Sequence, residues 1–148
     1  MPLKQSGTPV RVVLDTNILI SSAINKLGIP RQLFKLWRSR KLILVTSQFQ
    51  LRELTRVFHY KRIRKRYPLK EGFVVRFLSL IRKSGVVVSP ETIPEATADP
   101  DDNQILAAAT AGRADAIVSG DEHLLKLKKY RLIPIYSAKR FLQKINAG

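Results

Sequence analysis

Short apolar runs separated by stretches of helical period constrain this chain most. Residues 10–14, 42–45, 86–88, 116–118 and 132–136 form five runs rich in Val, Ile and Leu. Runs this short and this apolar suit strands covered on both faces, as parallel sheets require. Between them, apolar residues recur at three- and four-residue steps. Leu33, Leu36 and Trp37 form one such set, Val74, Phe77, Leu78 and Ile81 a second, and Ile105, Leu106 and Ala109 a third. That spacing gives a helix one apolar stripe. The punctuation agrees: Gly28 and Pro30 precede one helix, Thr46 or Ser47 caps another through Phe58, and Gly85 and Gly112 end two more. Strands alternating with helices predict an α/β domain with a mainly parallel sheet and right-handed crossovers.

A length of 148 residues fits one domain with its own core. We expect a flexible N-terminal segment at 1–9 and a single domain at 10–146, without repeat or dividing linker. No apolar run approaches the roughly 18 residues of a membrane span, and the first nine residues lack the apolar centre of a signal peptide. Without cysteine there is no disulfide, thiolate nucleophile or zinc–thiolate site. These features fit a cytoplasmic protein with no membrane partner.

Lys plus Arg number 27 against 11 Asp plus Glu, a formal charge of +16. Such a surface draws polyanions, so nucleic acid is the expected partner. The few acids are not scattered among these cations. They stand in Leu-Asp-Thr-Asn (Asp15), at Glu53, in Asp-Pro-Asp-Asp-Asn (Asp99, Asp101, Asp102) and in Ser-Gly-Asp-Glu (Asp121). Asp15 and Asp121 end apolar runs, and in open α/β sheets the active crevice lies beyond the strands' carboxyl ends. Asp15 reads as a metal ligand or as a helix cap, with Asn17 orienting it or capping the helix itself. Glu53, one turn after Phe49 and one before Val57, edges an apolar helix face, as a site residue or as an ion pair with Arg52 or Arg56.

Three acids within four residues repel unless a cation or basic side chains neutralise them. Asp102 lies over the buried side of the following helix, and Asp101 or Asp102 is the expected cap, with Asp99 in an outer shell. Ser119 hydrogen-bonds either the site or the local turn, for which Gly120 gives room. Carboxylates around one crevice favour Mg2+ or Mn2+. Of the two histidines, His59 lies among cations and His123 is expected on the surface, so zinc has no ligand set.

These four motifs, in this order and spacing, resemble the PIN-domain nucleases, over about residues 12–142. The likeness is nearest to the prokaryotic branch of toxin components of toxin–antitoxin pairs, the VapC-like proteins. It implies a Rossmann-like, three-layer α/β/α PIN fold and Mg2+- or Mn2+-dependent hydrolysis of phosphodiester bonds in RNA. It carries Asp15, Glu53, Asp102 and Asp121 over as the catalytic quartet. Asp15, Asp102 and Asp121 become metal ligands, with Asn17, Asp99 and Ser119 in support. A haloacid-dehalogenase-type phosphotransferase is disfavoured, because its second acid would occupy the Asn17 position.

Arg52, Arg56, Lys61, Arg62, Arg64, Lys65 and Arg66 form the densest basic stretch, interleaved with aromatics, and read as an RNA-binding surface. Lys126, Lys128, Lys129 and Arg131 form a second group just after Asp121, which reads as a hold on the backbone beside the acids or as a plain surface loop. The toxin resemblance implies a small antitoxin partner, and symmetry makes a homodimer the default. Leu33, Phe34 and Trp37 read as core, with a surface groove or dimer contact as the alternative. A housekeeping RNA-processing nuclease and a non-catalytic RNA-binding module remain alternatives.

Overall fold

Six strands form one sheet in the order β3-β2-β1-β4-β6-β5 in the computed structural model, which describes residues 8–147. Strands β1 (Val10–Leu14), β2 (Leu42–Ser47), β3 (Val86–Val88), β4 (Ala116–Val118) and β6 (Ile133–Tyr136) pair in parallel. The two-residue β5 (Lys129–Tyr130) adds an antiparallel edge against β6. This edge was not expected from the sequence. Lys128 and Arg131, which flank β5, adopt φ of 62° and 56°, a left-handed backbone that propensity does not foretell for Lys or Arg.

Alternation along the strands sorts the core into two layers. Val10, Val12, Leu14, Leu42, Leu44, Ala116 and Val118 face one side and pack with helices α1 (Thr16–Ile24), α2 (Ile29–Arg38), α3 (Gln48–Phe58), α5 (Glu71–Ser84) and α8 (Ala138–Ala147). Val13, Val45, Ile117 and Ile135 face the other, against α6 (Pro100–Ala111) and α7 (Glu122–Leu127). The result is a three-layer α/β/α arrangement. Leu33 and Trp37 lie in the first layer, with Phe34 packed against it, so this trio is core. Gly112 seats α6 on the sheet, since a Cβ there would meet Val45 Cγ1 at 2.3 Å.

The charge run at 61–70 forms a short helix, α4 (Lys61–Arg66), with no buried residue. Acidic help comes from α5: Glu71 pairs with Arg64 and accepts a hydrogen bond from His59 at 3.0 Å. His59 also donates to the Thr55 carbonyl at 2.6 Å. That bond, foremost, and Glu71 raise its pKa.

Residues 1–7 of the expected flexible segment lie outside the described residues. No described helix is long and apolar enough to cross a membrane. The chain leaves β1 for β2 and β3 on one side, then returns to β4 on the other. The carboxyl ends of β1 and β4 therefore border the point where strand order reverses, and connections diverge there to leave a crevice.

Candidate active site

Asp15 follows β1 directly, and its amide donates to the Val118 carbonyl at 2.9 Å, stitching the two strand ends. Its side chain caps α1 by accepting from the Ile18 amide at 2.9 Å. The other oxygen, Oδ2, accepts from Ser119 Oγ at 2.6 Å and from the Gly120 amide at 3.2 Å. Burial raises the Asp15 pKa, while these donors, Ser119 foremost, pull it back. Asn17 therefore does not cap α1; the residue that both ends the strand and precedes the helix does. Ser119 serves site and turn together, since its Oγ also accepts from the Asp121 amide at 2.9 Å. Gly120 contributes its own amide, which donates to Asp15 Oδ2, rather than room: nothing lies within 4 Å of where its Cβ would be.

Asp99, not Asp101 or Asp102, caps α6, accepting from the Asp101 amide at 2.8 Å with Pro100 in the first turn. A proline in the first turn gives up no helical hydrogen bond, so the cap moves to the residue before it. This frees Asp102, which is buried at 7% exposure. Its Oδ2 has no hydrogen-bond partner among the described residues. Burial first, then the charges of Asp121, Asp99 and Asp15, push its pKa up to about 6. Asp99, Asp102 and Asp121 each offer a carboxylate oxygen, and these lie within 4.8 Å of one another. Asp121 caps α7 through the His123 and Leu124 amides.

Glu53 approaches from α3 and accepts a hydrogen bond from Thr16, with the Arg56 guanidinium at 3.7 Å. Its pKa is raised, by burial above all and then by the adjacent Asp101 carboxyl, with Thr16 acting oppositely. Asp15, Asn17, Glu53, Asp99, Asp102 and Asp121 all line one cleft of about 230 Å3, together with Arg56 and Tyr60. The four expected catalytic acids thus share one cavity. The trio whose carboxylate oxygens lie within 4.8 Å of one another holds Asp99 in the place expected for Asp15, whose two oxygens already accept hydrogen bonds.

A divalent cation fits this donor set. All the candidate ligands are oxygens, the preference of Mg2+ and Mn2+. A buried carboxylate oxygen without a donor is costly unless protonated or bound to a cation. Asp102 Oδ2 is such an atom, on a carboxyl group clustered with two more.

Three positioning groups escaped the sequence reading. Thr16, inside the Leu-Asp-Thr-Asn motif, orients Glu53. Buried Asn103 accepts from the Thr97 amide and hydroxyl at 2.9 and 3.0 Å and donates to its carbonyl at 3.1 Å. It thereby pins the loop that carries Asp99. Buried Gln50 donates to the Leu14 carbonyl at 2.8 Å and accepts from Thr46 at 2.5 Å, tying α3 to the end of β1. The Ser-x-x-Gln pattern of Ser47 and Gln50 was the available signal, a capping box by spacing. Ser47 does cap α3, but the Gln50 side chain turns to the sheet instead.

Among the basic residues, Arg52, Lys61, Arg62, Lys65 and Arg66 are exposed, as are Lys126, Lys128 and Lys129. Arg64 and Arg56 are partly committed to Glu71 and Glu53. His123 is exposed, as expected.

Comparison with known proteins agrees with this architecture. A solved structure described as VapBC2 from Rickettsia felis bound to a DNA fragment from their promoter superposes with a TM-score of 0.52. The match covers 85% of this chain and 97% of that one at 15% identity, a likeness of fold. The uncharacterized protein MJ1680 of Methanocaldococcus jannaschii is 30% identical over 125 residues, 84% of this chain and 79% of its own. The PIN domain family profile matches residues 11–123, taking in all four acidic motifs, and the chain belongs to that family.

Proposed function

We propose that this protein is an Mg2+- or Mn2+-dependent endoribonuclease acting in the cytoplasm as the toxin component of a toxin–antitoxin pair. One observation carries the catalytic reading: buried Asp102, one of whose carboxylate oxygens has no donor, is grouped with Asp99 and Asp121 in the cleft that Asp15 and Glu53 also line. Asp99, Asp102 and Asp121, with Asp15 beside them, would hold the cation. Once bound, it would supply charge on the phosphoryl oxygen, a more acidic water and stabilisation of the leaving oxygen.

The chain's own residues supply positioning and proton handling. Glu53, kept basic by its raised pKa and aimed by Thr16, orients or deprotonates the attacking water. Asp15, held by three donors, fixes the cleft floor. Exposed Arg52, Lys61, Arg62, Lys65, Arg66, Lys126, Lys128 and Lys129 neutralise RNA phosphates. The chemistry is direct attack by water, with no covalent intermediate on a side chain. The toxin role is supported by the family and by the VapBC2 likeness in fold. A small antitoxin and a second copy of the chain are the proposed protein partners.

The test is cleavage of a labelled RNA pool with Mg2+, Mn2+ or EDTA, beside Asp15→Asn. Cleavage that needs metal and disappears in the variant supports the proposal. RNA binding without cleavage under either metal would favour the non-catalytic module instead.

A further inference from the structure

Tyr60 is the one exposed aromatic side chain (Phe, Tyr or Trp) among the described residues. Phe58, Phe77, Phe141 and Trp37 are buried. Tyr67 lies under the Arg66 guanidinium at 5.5 Å, Tyr130 under Arg131 at 5.6 Å, and Tyr136 meets the Phe141 ring at 6.3 Å. The Tyr60 ring has no such partner among the described residues, is 40% exposed, and lines the acidic cleft. Its backbone is well held: the amide donates to the Val57 carbonyl at 3.1 Å, and its carbonyl accepts from the Arg64 amide at 3.0 Å. An exposed aromatic face on a fixed backbone loses little freedom when something stacks on it.

The surroundings name the partner. On one side Tyr60 shares the cleft with the acids that would act on a phosphodiester. On the other it opens directly into α4, where Lys61, Arg62, Lys65 and Arg66 project into solvent. A strand with one phosphate at the acids and its neighbours along α4 carries a base past this ring. In a duplex both faces of that base are already stacked, so only an unpaired base can use the ring.

We propose that Tyr60 is the stacking platform for a nucleobase beside the cleaved phosphate, and that it selects RNA unpaired at that nucleotide. This rests on the ribonuclease reading above. Arg56, on the same wall but paired with Glu53, holds the adjoining phosphate.

The test measures affinity in an Asp15→Asn background, so that nothing is cut. The probes are a short single-stranded RNA and the same strand annealed to its complement. Tyr60→Ala is expected to weaken single-strand binding roughly 5- to 150-fold, the range of base–aromatic stacking, and to leave duplex binding within about twofold. Tyr60→Leu should behave like Ala, and Tyr60→Phe should rescue the preference because the ring face returns. Unchanged single-strand affinity in Tyr60→Ala, or equal losses on both probes, would overturn the proposal. If the protein with Asp15 intact cuts neither RNA with Mg2+ or Mn2+, the ribonuclease reading falls. The binding comparison would still decide whether Tyr60 is a base platform.

Discussion

Ser119 donates its hydroxyl proton to Asp15 Oδ2 at 2.6 Å, joining residues 104 positions apart at the ends of β1 and β4. Removing that hydroxyl leaves the buried carboxylate oxygen with the Gly120 amide alone. Ser119→Ala should cost about 1–3 kcal/mol of stability in urea unfolding. Because the Ser119 bond is the strongest influence lowering the Asp15 pKa, its loss should also move the acidic limb of the pH–rate profile upward.

Asp102 links stability to pH in the unusual direction for an acid. Its folded pKa is about 6, against about 3.9 for an unfolded aspartate. Between those values the folded state binds more protons than the unfolded one, so its contribution falls as pH rises through that window. Asp102→Asn should therefore stabilise the metal-free protein at pH 7.5 by up to about 3 kcal/mol and give no gain at pH 4. Thermal unfolding at the two pH values checks this.

Mn2+ should reverse the penalty, since it prefers the ionised carboxylates. At a hundred times its Kd it should add about 2.7 kcal/mol, roughly 5–10 °C in Tm for a domain of this size. The shift should be present in the wild type at pH 7.5, smaller at pH 5, and absent from Asp102→Asn.

Asn103 holds the 97–99 loop through three hydrogen bonds to Thr97. Asn103→Ala should weaken Mn2+ binding about 10- to 100-fold, as losses of outer groups around metal ligands do. Calorimetric titration of Mn2+ measures it.

The basic surface should not be uniform. Converting Arg62 or Lys65 to Gln should reduce single-strand RNA affinity and lower the log–log salt slope by about 0.7 each. Arg64→Gln should matter less, because Arg64 already pairs with Glu71. Binding measured across a salt series separates these cases.

The sheet was legible in the sequence because each parallel strand is a nearly uninterrupted apolar run, from 10–14 through 132–136. The acidic motifs were legible because three of them sit where strands end or a helix begins. What remained hidden was set by tertiary contact or local backbone. The short β5 depends on two non-glycine residues at positive φ. Helix α4 buries no residue, and its Arg64 pairs with Glu71, five residues beyond its end. Asp99 joins Asp102 and Asp121 because Pro100 shifts the cap by one residue and Asn103 pins the preceding loop. Gln50 has the spacing of a local cap partner for Ser47, but its side chain reaches a carbonyl 36 residues away.

The decisive measurement is single-turnover cleavage of a labelled RNA across Mn2+ concentrations by the wild type and Asp102→Asn. The expected result is a wild-type rate that saturates with Mn2+ and vanishes in EDTA, with the variant slower by about a thousandfold, the scale of losing a main electrostatic contributor. Cleavage that persists in EDTA, or an Asp102→Asn rate equal to the wild type's, would contradict a reaction run from this carboxylate cluster.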